Sequence, residues 1–218
     1  MDRRQQARRQ REELGRGRYG MEETLSFACQ CGAVRGTVAI PSPIDGECLV
    51  CHCHDCRDFI RLMGKADTML DDLGGLALFN FRGSRLRLEQ GIENLASLHM
   101  TDRPVLRWYA SCCDTPMFNS FATSSLPFLD ILVPTIRDAA ALSGLRDRQR
   151  HLFTKSATGD ASSLRKTYPL ALMARTFPRM VREWVGGARK ANPLFDPSTG
   201  RPVAEPRRVS AKERSAIT

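Results

Sequence analysis

Cysteine and histidine are concentrated in one short segment of the chain, residues 51–56, with the sequence CHCHDC. Seven of the eight cysteines fall in three clusters, at positions 29 and 31, at 51, 53 and 56, and at 112 and 113, whereas Cys48 stands apart. Thiolates and imidazoles are the ligands that zinc prefers in proteins. In a reducing compartment, clustered cysteines therefore predict metal sites and not disulfides.

Cys51, Cys53 and Cys56 form the first candidate site, and they are also our candidate catalytic residues. Residues i and i+2 of a strand lie on one face, so Cys51 and Cys53 are expected to point the same way, with His52 facing away. Cys56, at a helix start, can fold back to join them, and the helix N-terminus favours its thiolate. Three thiolates leave a fourth position for water or substrate, as in catalytic zinc sites. His54 is an alternative fourth ligand, which would make a closed structural site, or a base beside the metal.

The other two cysteine pairs predict a second site. Cys29 and Cys31 flank a turn before Gly32, between two strand-like segments, and two thiols need two further ligands to complete a tetrahedron. Cys112 and Cys113 are the remaining pair. A metal ion shared by these pairs would join the first hairpin to a late part of the chain, which is a structural role.

Short strand-like segments follow one another about every ten residues and favour an antiparallel sheet assembly over alternating strands and helices. The predicted strands are Thr24–Ala28, Ala33–Ile40, Cys48–Cys51, Ala77–Phe81, Arg85–Glu89, Leu95–Met100, Val105–Tyr109, Pro116–Phe121 and Phe128–Val133. A short helix is predicted over Cys56–Met63, with Asp55 as its N-cap and Gly64 at its end.

The periodicity becomes helical after about residue 138, with helices predicted over Ala139–Leu145 and Leu170–Val185. In the second helix, six large apolar residues recur at spacings of three and four and predict a stripe that packs against the sheet. They are Leu170, Met173, Phe177, Met180, Val181 and Trp184. Pro178 is expected to kink or restart this helix. His151 lies in a polar stretch, and we expect it to be solvated.

The charge lies at the two ends. The net charge is +9, and residues 1–18 and 185–218 contribute +4 each. We expect a disordered basic tail over residues 1–20, a zinc-binding domain over 21–138, a helical extension over 139–190 and an extended Pro-rich basic tail over 191–218. Met21 is a plausible alternative start. Basic tails of this kind favour nucleic acid or an acidic partner as an alternative ligand.

Composition bounds the class and compartment. The chain is 42% hydrophobic and 26% charged, typical of a soluble globular protein. It lacks the ~18–20 consecutive apolar residues of a membrane span, and its first residues lack the apolar core of a secretory signal. We therefore expect a cytoplasmic protein without a membrane partner.

Three segments resemble the glutathione-dependent formaldehyde-activating enzyme family, whose domain centromere protein V shares. They are residues 29–34 (CQCGAV), 51–57 (CHCHDCR) and 107–113 (RWYASCC), and the resemblance spans roughly residues 23–135. It implies an antiparallel zinc-binding β-tent, which with the C-terminal helices makes the protein mainly β and α+β overall. It also implies a structural zinc at Cys29, Cys31 and the third segment, and a second zinc at Cys51, Cys53 and Cys56, beside the glutathione site.

The third segment departs from the family pattern, which is Cys-x-x-Cys followed by glycine. If Cys113 is the second cysteine of that pattern, Ala110 replaces the first and Asp114 replaces the glycine. Cys112 is the alternative ligand, although adjacent cysteines rarely share one tetrahedral metal without strain. The second site is therefore expected to hold three thiolates and a substitute ligand, or to bind its metal weakly.

The resemblance implies a zinc-dependent carbon–sulfur lyase acting on a thiol–aldehyde adduct such as S-hydroxymethylglutathione, with one or two zinc ions per chain and a small-molecule thiol as substrate. The alternative is a non-catalytic zinc-stabilised module that binds nucleic acid or an acidic partner through its basic tails. A thiol redox protein is a weaker hypothesis, because no βαβ pattern surrounds the Cys53-to-Cys56 segment.

Overall fold

A computed structural model describes residues 23–40 and 45–217. The predicted N-terminal tail and Met21 lie outside these residues. The strands are β1 Glu23–Ala28, β2 Arg35–Ile40, β3 Gly46–Cys51, β4 Leu76–Arg82, β5 Leu86–Gln90, β6 Leu95–His99, β7 Val105–Ala110, β8 Thr115–Phe121, β9 Phe128–Leu132, β10 Arg150–Leu152 and β11 Arg207–Arg208. The helices are α1 His54–Leu62, α2 Ala66–Met69, α3 Ser143–Arg146, α4 Pro169–Val185 and α5 Ala211–Ser215. All nine predicted strands are present, within two residues of their predicted ends.

These strands form two sheets in the described part of the chain. Strands β1, β2 and β5 form a three-stranded antiparallel sheet. The larger sheet has the order β10-β3-β4-β9-β8-β7-β6-β11. Its six inner strands are antiparallel, whereas β10 and β11 add to its edges in parallel. The predicted class, mainly β with C-terminal helices and α+β overall, is confirmed.

The larger sheet separates two cores because successive strand residues point to opposite faces. In β4, Phe79 and Phe81 join the core shared with the small sheet, and Leu76 and Leu78 join the core on the other face. Trp108 is fully buried in the first core, and its Nε1 donates to Ser120 Oγ at 2.8 Å. The second core contains Phe59 and Ile60 of α1 and the side chains of Cys51 and Cys56, so this face carries the first candidate site.

The first helix begins two residues earlier than predicted. Cys53, not Asp55, is its N-cap: the Cys53 Sγ accepts from the backbone N–H of Cys56 at 3.4 Å. Asp55 lies in the first turn, where a negative charge also favours the helix. The expected N-cap was wrong because a thiolate can accept the same hydrogen bond as a carboxylate. The predicted helix over Ala139–Leu145 is a 3₁₀ turn, Ala139–Leu142, followed by the short α3.

The long helix α4 runs through Pro178 and buries a different face from the one predicted. Leu170 is 82% exposed, and Phe177 and Trp184 are each 59% exposed. The buried residues are Leu172, Thr176, Met180 and Glu183. Only Met180 is common to the predicted stripe and the buried face, so the core role assigned to that stripe was wrong.

Ion pairs explain the rotation of α4. The fully buried Glu183 accepts from Arg82 Nε at 2.7 Å and from Ser84. On neighbouring turns, Arg175 pairs with Glu47 at 2.8 Å and Arg179 pairs with Asp45 at 3.0 Å. Buried or half-buried pairs with several hydrogen bonds are costly to break, and they outweigh the apolar periodicity of the opposite face.

The C-terminal segment, expected to be an extended tail over 191–218, packs on the fold as far as it is described. Leu194 and Phe195 are buried in the first core, and the Phe195 ring lies edge-on to Trp108. Ser210 and Glu213 form a capping box that begins α5. Apolar anchors and a helix signal thus order a segment whose proline and charge content had predicted otherwise.

Candidate functional site

The thiols of Cys51, Cys53 and Cys56 converge. Cys51 ends β3, Cys53 caps α1 and Cys56 lies in its first turn, and the three sulfur atoms lie within 4.8 Å of one another. The Cys51 and Cys53 sulfurs are 3.4 Å apart. A tetrahedral zinc with Zn–S bonds of about 2.3 Å places its sulfurs about 3.8 Å apart, so this cluster can hold a metal ion after small side-chain movements.

The local electrostatics select Cys53 as the thiolate. Its pKa is lowered, chiefly by hydrogen bonds from Cys51 and Cys56 and also by the positive charge of Arg107. The pKa of Cys51 is raised by the same sharing of protons and by burial. We expected the helix N-terminus to stabilise the Cys56 thiolate, but the backbone N–H of Cys56 donates to the Cys53 sulfur instead. A cluster that already shares its protons and holds one thiolate is suited to a cation.

The histidines of this segment lie outside the thiol cluster. His54 Nδ1 is 3.0 Å from Arg57 Nη2, and this histidine is not grouped with the three sulfurs. His52 faces away from the cluster, as predicted, and its Nε2 lies 3.0 Å from His151 Nδ1. His151 is buried against β3 and not solvated, because β10 adds to the edge of the sheet there. Burial lowers the pKa of His151, and the neighbouring His52 acts in the same direction.

The second cluster contains all four remaining clustered cysteines. The sulfurs of Cys29, Cys31, Cys112 and Cys113 lie within 4.8 Å of one another, with Cys29 buried and Cys31 and Cys112 exposed. The Cys29 sulfur lies 3.5 Å from that of Cys31 and 3.9 Å from that of Cys112. The Cys112 sulfur lies 3.3 Å from that of Cys31 and 3.9 Å from that of Cys113. These distances are close to the tetrahedral value. Both adjacent cysteines face the same point, so a complete four-thiol set is available and no substitute ligand is needed.

Asp114 explains how the adjacent cysteines converge. Its φ is 52°, in the left-handed region that favours glycine and that Asp and Asn tolerate best among other residues. Asp114 stands where the resembled family has glycine, so the backbone turn is kept without it. The Thr115 hydroxyl, 3.0 Å from Cys113 Sγ, further favours the Cys113 thiolate. Ala110 is fully buried in the first core, and its carbonyl oxygen accepts from the backbone N–H of Cys113 at 3.3 Å. Cys48, the cysteine outside the clusters, is buried, and burial raises its pKa to about 12.

A cavity of about 230 Å³ opens beside the first cluster. Its walls are mostly apolar and include Leu49, Leu78, Val105, Phe121, Leu152, Leu172 and Met173. Cys51, Cys53 and Cys56 line one side, so a metal ion held there would face the cavity. A second, more polar cavity of about 390 Å³ shares Cys53, Asp55, Arg103 and Phe153 with the first. Ligands can thus approach the thiols from two adjoining cavities, a mostly apolar one, which we call the inner cavity, and a more polar one, which we call the outer cavity.

Polar side chains form the floor of the inner cavity. Strand pairing places Arg107 opposite Asn119 and Asn119 opposite Asp130, and Asn80 is opposite Asp130 on the next strand. Directly opposed residues share a face, so these four form one row across β7, β8, β9 and β4. All four are buried, and Arg107, Asn119 and Asp130 line the cavity. We call Arg107, Asn119 and Asp130 the polar row.

The polar row is only partly satisfied. Asn80 Nδ2 donates to Asp130 Oδ1 at 2.9 Å, whereas neither side-chain atom of Asn119 has a hydrogen-bond partner. Burial raises the pKa of Asp130 to about 7, although Asn80 and Arg107 act in the opposite direction. The pKa of Arg107 is raised, because its Coulomb interactions with the thiol cluster and with Asp55 outweigh its burial.

The C-terminal helix closes the outer cavity. Arg214 of α5 donates to Asp55 Oδ1 at 2.7 Å and to the Met100 carbonyl oxygen at 3.0 Å. Thr101 Oγ1 donates to the other Asp55 oxygen at 3.1 Å. Phe153, at the boundary of the two cavities, has a φ of 56°, which is unusual for an aromatic residue and marks a constrained loop.

Sequence reasoning found all seven clustered cysteines but assigned no role to the polar row or to Arg214. Arg107 belongs to the segment that carried the resemblance, yet one charged residue in a strand pattern has no defined partner in sequence. The available signal was alternation: Arg107 and Asn119 each interrupt an apolar face at a position that faces the same side of the sheet as Cys51.

Comparisons with known proteins place the chain without explaining it. A family model described as a family of unknown function, DUF6151, matches residues 21–207. No curated protein matches. A crystal structure of a Rhodobacter sphaeroides protein from a structural genomics programme has 23% sequence identity and a TM-score of 0.36, over 52% of this chain and 88% of that one. No helix in the described residues is long and apolar enough to cross a membrane.

Proposed function

The chain belongs to DUF6151, a family of unknown function, and from its own residues we propose that it is a zinc-dependent enzyme of the carbon–sulfur lyase type. Its substrate would be the adduct of a thiol and an aldehyde, such as S-hydroxymethylglutathione. The observation that carries the proposal is that Cys51, Cys53 and Cys56 converge on the wall of a largely apolar cavity. A purely structural site has no need of such a cavity.

Zinc is the metal that three thiolates favour, and zinc at this position would be three-coordinate in protein ligands. When bound, it lowers the pKa of a thiol or water at its open position and polarises a carbonyl. The four-thiol cluster on Cys29, Cys31, Cys112 and Cys113 is closed by comparison and suits a structural zinc. It joins β1 and the turn before β2 to the β7–β8 turn.

The reaction forms one bond and moves one proton. The thiol sulfur bonds to the carbonyl carbon, the electron pair of the carbonyl π bond moves to its oxygen, and that oxygen takes up the proton that the thiol has lost. The product is a hemithioacetal, and the reverse reaction breaks the same carbon–sulfur bond. The positive charge of Arg107, which lines the same cavity, favours the ionised form of the thiols. The apolar walls of the cavity strengthen this electrostatic interaction.

The alternative, a binding module that uses basic tails, stays a prediction. Three of the seven Lys and Arg residues at positions 185–218 are already paired with carboxylates of the protein: Arg207 with Glu213, Arg208 with Asp102, and Arg214 with Asp55. Fewer free charges favour the enzyme over a charge-driven complex. Cytoplasmic location, where glutathione is abundant, is part of the same proposal.

Exchange NMR tests the proposed reaction. Glutathione and formaldehyde are mixed at equilibrium with the zinc-loaded protein, and the rate of exchange between free thiol and adduct is measured. We expect saturable acceleration by the wild type and by Cys48→Ala, which changes the cysteine outside the clusters, and none by Cys53→Ser. Equal rates with and without wild-type protein, or with the Cys53→Ser variant, would refute the activity.

A further inference from the structure

The inner cavity has a polar floor that the reaction at the thiols does not use in full. Asn119 is 1% exposed, lines the cavity, and leaves both its Nδ2 donor and its Oδ1 acceptor without a partner. Buried side-chain amides are nearly always hydrogen-bonded, and an unpaired one needs an explanation. Because strand pairing fixes Asn119 between Arg107 and Asp130, its side chain cannot turn away to solvent. A ligand group is the missing partner.

Arg107 indicates the charge of that group. It is 6% exposed and lines the cavity. In the described part of the chain, the ion pairs to carboxylates are made by other arginines. A guanidinium offers several N–H donors in one plane, in the geometry that a carboxylate accepts. Asn119 Nδ2 adds a further donor beside it.

Asp130 is compatible with an anion beside it. Its pKa of about 7 means that it holds a proton up to near-neutral pH, and one of its oxygens already accepts from Asn80. A protonated Asp130 is a hydrogen-bond donor and not a repelling charge. The row therefore offers donors from three consecutive strands to one small anion.

The size and walls of the cavity define the rest of the ligand. Its volume of about 230 Å³ is below the ~300–1,000 Å³ of pockets for drug-sized ligands. Leu78, Leu172 and Met173 are among the walls, so the group between the floor and the thiols is a short carbon chain. The outer cavity of about 390 Å³ remains for the other substrate.

We propose that Arg107, Asn119 and Asp130 form a carboxylate-binding subsite, and that the carbonyl substrate of this enzyme is a small aliphatic oxo acid. The carboxylate lies on the polar row and the carbonyl carbon lies toward the thiols of Cys51, Cys53 and Cys56. The assignment of the oxo acid rests on the proposed function, whereas the carboxylate subsite does not. The bond that forms is again carbon–sulfur, and the thiol proton moves to the carbonyl oxygen.

Binding of a non-reactive probe tests the subsite without catalysis. Zinc-loaded protein is titrated with butyrate, butyramide and 1-butanol, and binding is followed by calorimetry or by NMR shifts of the protein. We expect butyrate to bind at least tenfold more tightly than the two uncharged probes. Asn119→Asp, which keeps the side-chain shape but adds a negative charge, should weaken butyrate binding at least tenfold. Arg107→Lys should do the same, because it keeps the charge but loses the planar pair of donors.

Asn94→Asp is the matched control, since it makes the same change outside the cavity and should leave butyrate binding unchanged. Zinc content and melting temperature are measured for each variant to establish that it is folded. Equal affinity for butyrate and butyramide in the wild type, or unchanged butyrate affinity in folded Asn119→Asp and Arg107→Lys, would overturn the subsite.

The exchange assay then separates the two proposals. With 4-oxobutanoate as a probe oxo acid, we expect a larger acceleration of adduct exchange over the uncatalysed rate than with butanal at equal concentration. If butyrate binds as expected but no aldehyde exchanges faster than without protein, the proposed reaction fails and the subsite stands. If exchange of butanal and of 4-oxobutanoate is accelerated equally, the oxo-acid assignment fails and the reaction stands.

Discussion

Asp130 should make the stability of this protein fall as the pH rises toward neutrality. Its pKa is raised from 3.8 to about 7, first by burial, so between these values the native state holds a proton that the unfolded state has lost. The free energy of unfolding therefore decreases with pH over this window and levels off above about pH 7. Asp130→Asn removes the titration and keeps the shape.

The magnitude follows from the pKa difference. Each pKa unit corresponds to about 1.4 kcal/mol, so the full contribution of Asp130 is about 4 kcal/mol. Between about pH 5.5 and about pH 8.5, where thiolate sites keep their metal better, roughly half of it remains, about 2 kcal/mol. Urea denaturation of both proteins with fixed free zinc gives the free energies of unfolding. Because other groups titrate alike in both, their difference isolates Asp130.

We expect the wild type to lose about 2 kcal/mol relative to Asp130→Asn over that range. A difference that stays constant with pH would show that Asp130 is charged throughout, as a stable ion pair with Arg107 would require, and that burial does not control its pKa. That result would refute the reasoning.

Four substitutions test the fold itself. Gly36→Ala should destabilise the small sheet by more than about 2 kcal/mol in urea denaturation, because the added Cβ would clash with the Arg87 carbonyl oxygen. An unchanged stability would contradict the β2–β5 register. Asp114→Gly should raise stability by about 1 kcal/mol by relieving a left-handed φ, and a loss would show that its carboxylate is needed. Trp184→Ser should change the melting temperature little, because Trp184 is exposed. Met180→Ala should lower the free energy of unfolding by about 2 kcal/mol or more, because Met180 is buried. A larger loss with Trp184→Ser than with Met180→Ala would contradict the orientation of α4.

Local patterns predicted most of the fold. Alternating and β-branched segments marked all nine predicted strands, since side-chain alternation and turn residues act over a few positions. The orientation of α4 was not predictable, because Glu183 is buried by partners about a hundred residues away in sequence, at Arg82 and Ser84. The edge strands β10 and β11 are too short to have a recognisable pattern.

The candidate site divides in the same way. Cysteine spacing identified every thiol that converges, because metal-ligating cysteines are clustered in the sequence. The polar row has no such pattern in the sequence. Arg107, Asn119 and Asp130 lie on separate strands, and only the strand register brings them together. The convergence of Cys112 and Cys113 also depended on the backbone, through the left-handed conformation of Asp114.

Metal stoichiometry is the most direct test of the central claim, which is that Cys51, Cys53 and Cys56 hold a zinc ion separate from the four-thiol site. Native mass spectrometry counts the zinc ions on the wild type, on Cys53→Ser and on the control Cys48→Ala. We predict two ions on the wild type and the control, and one on Cys53→Ser. Two ions on Cys53→Ser, or a wild type that holds one ion and loses it only with Cys31→Ser, would contradict the account.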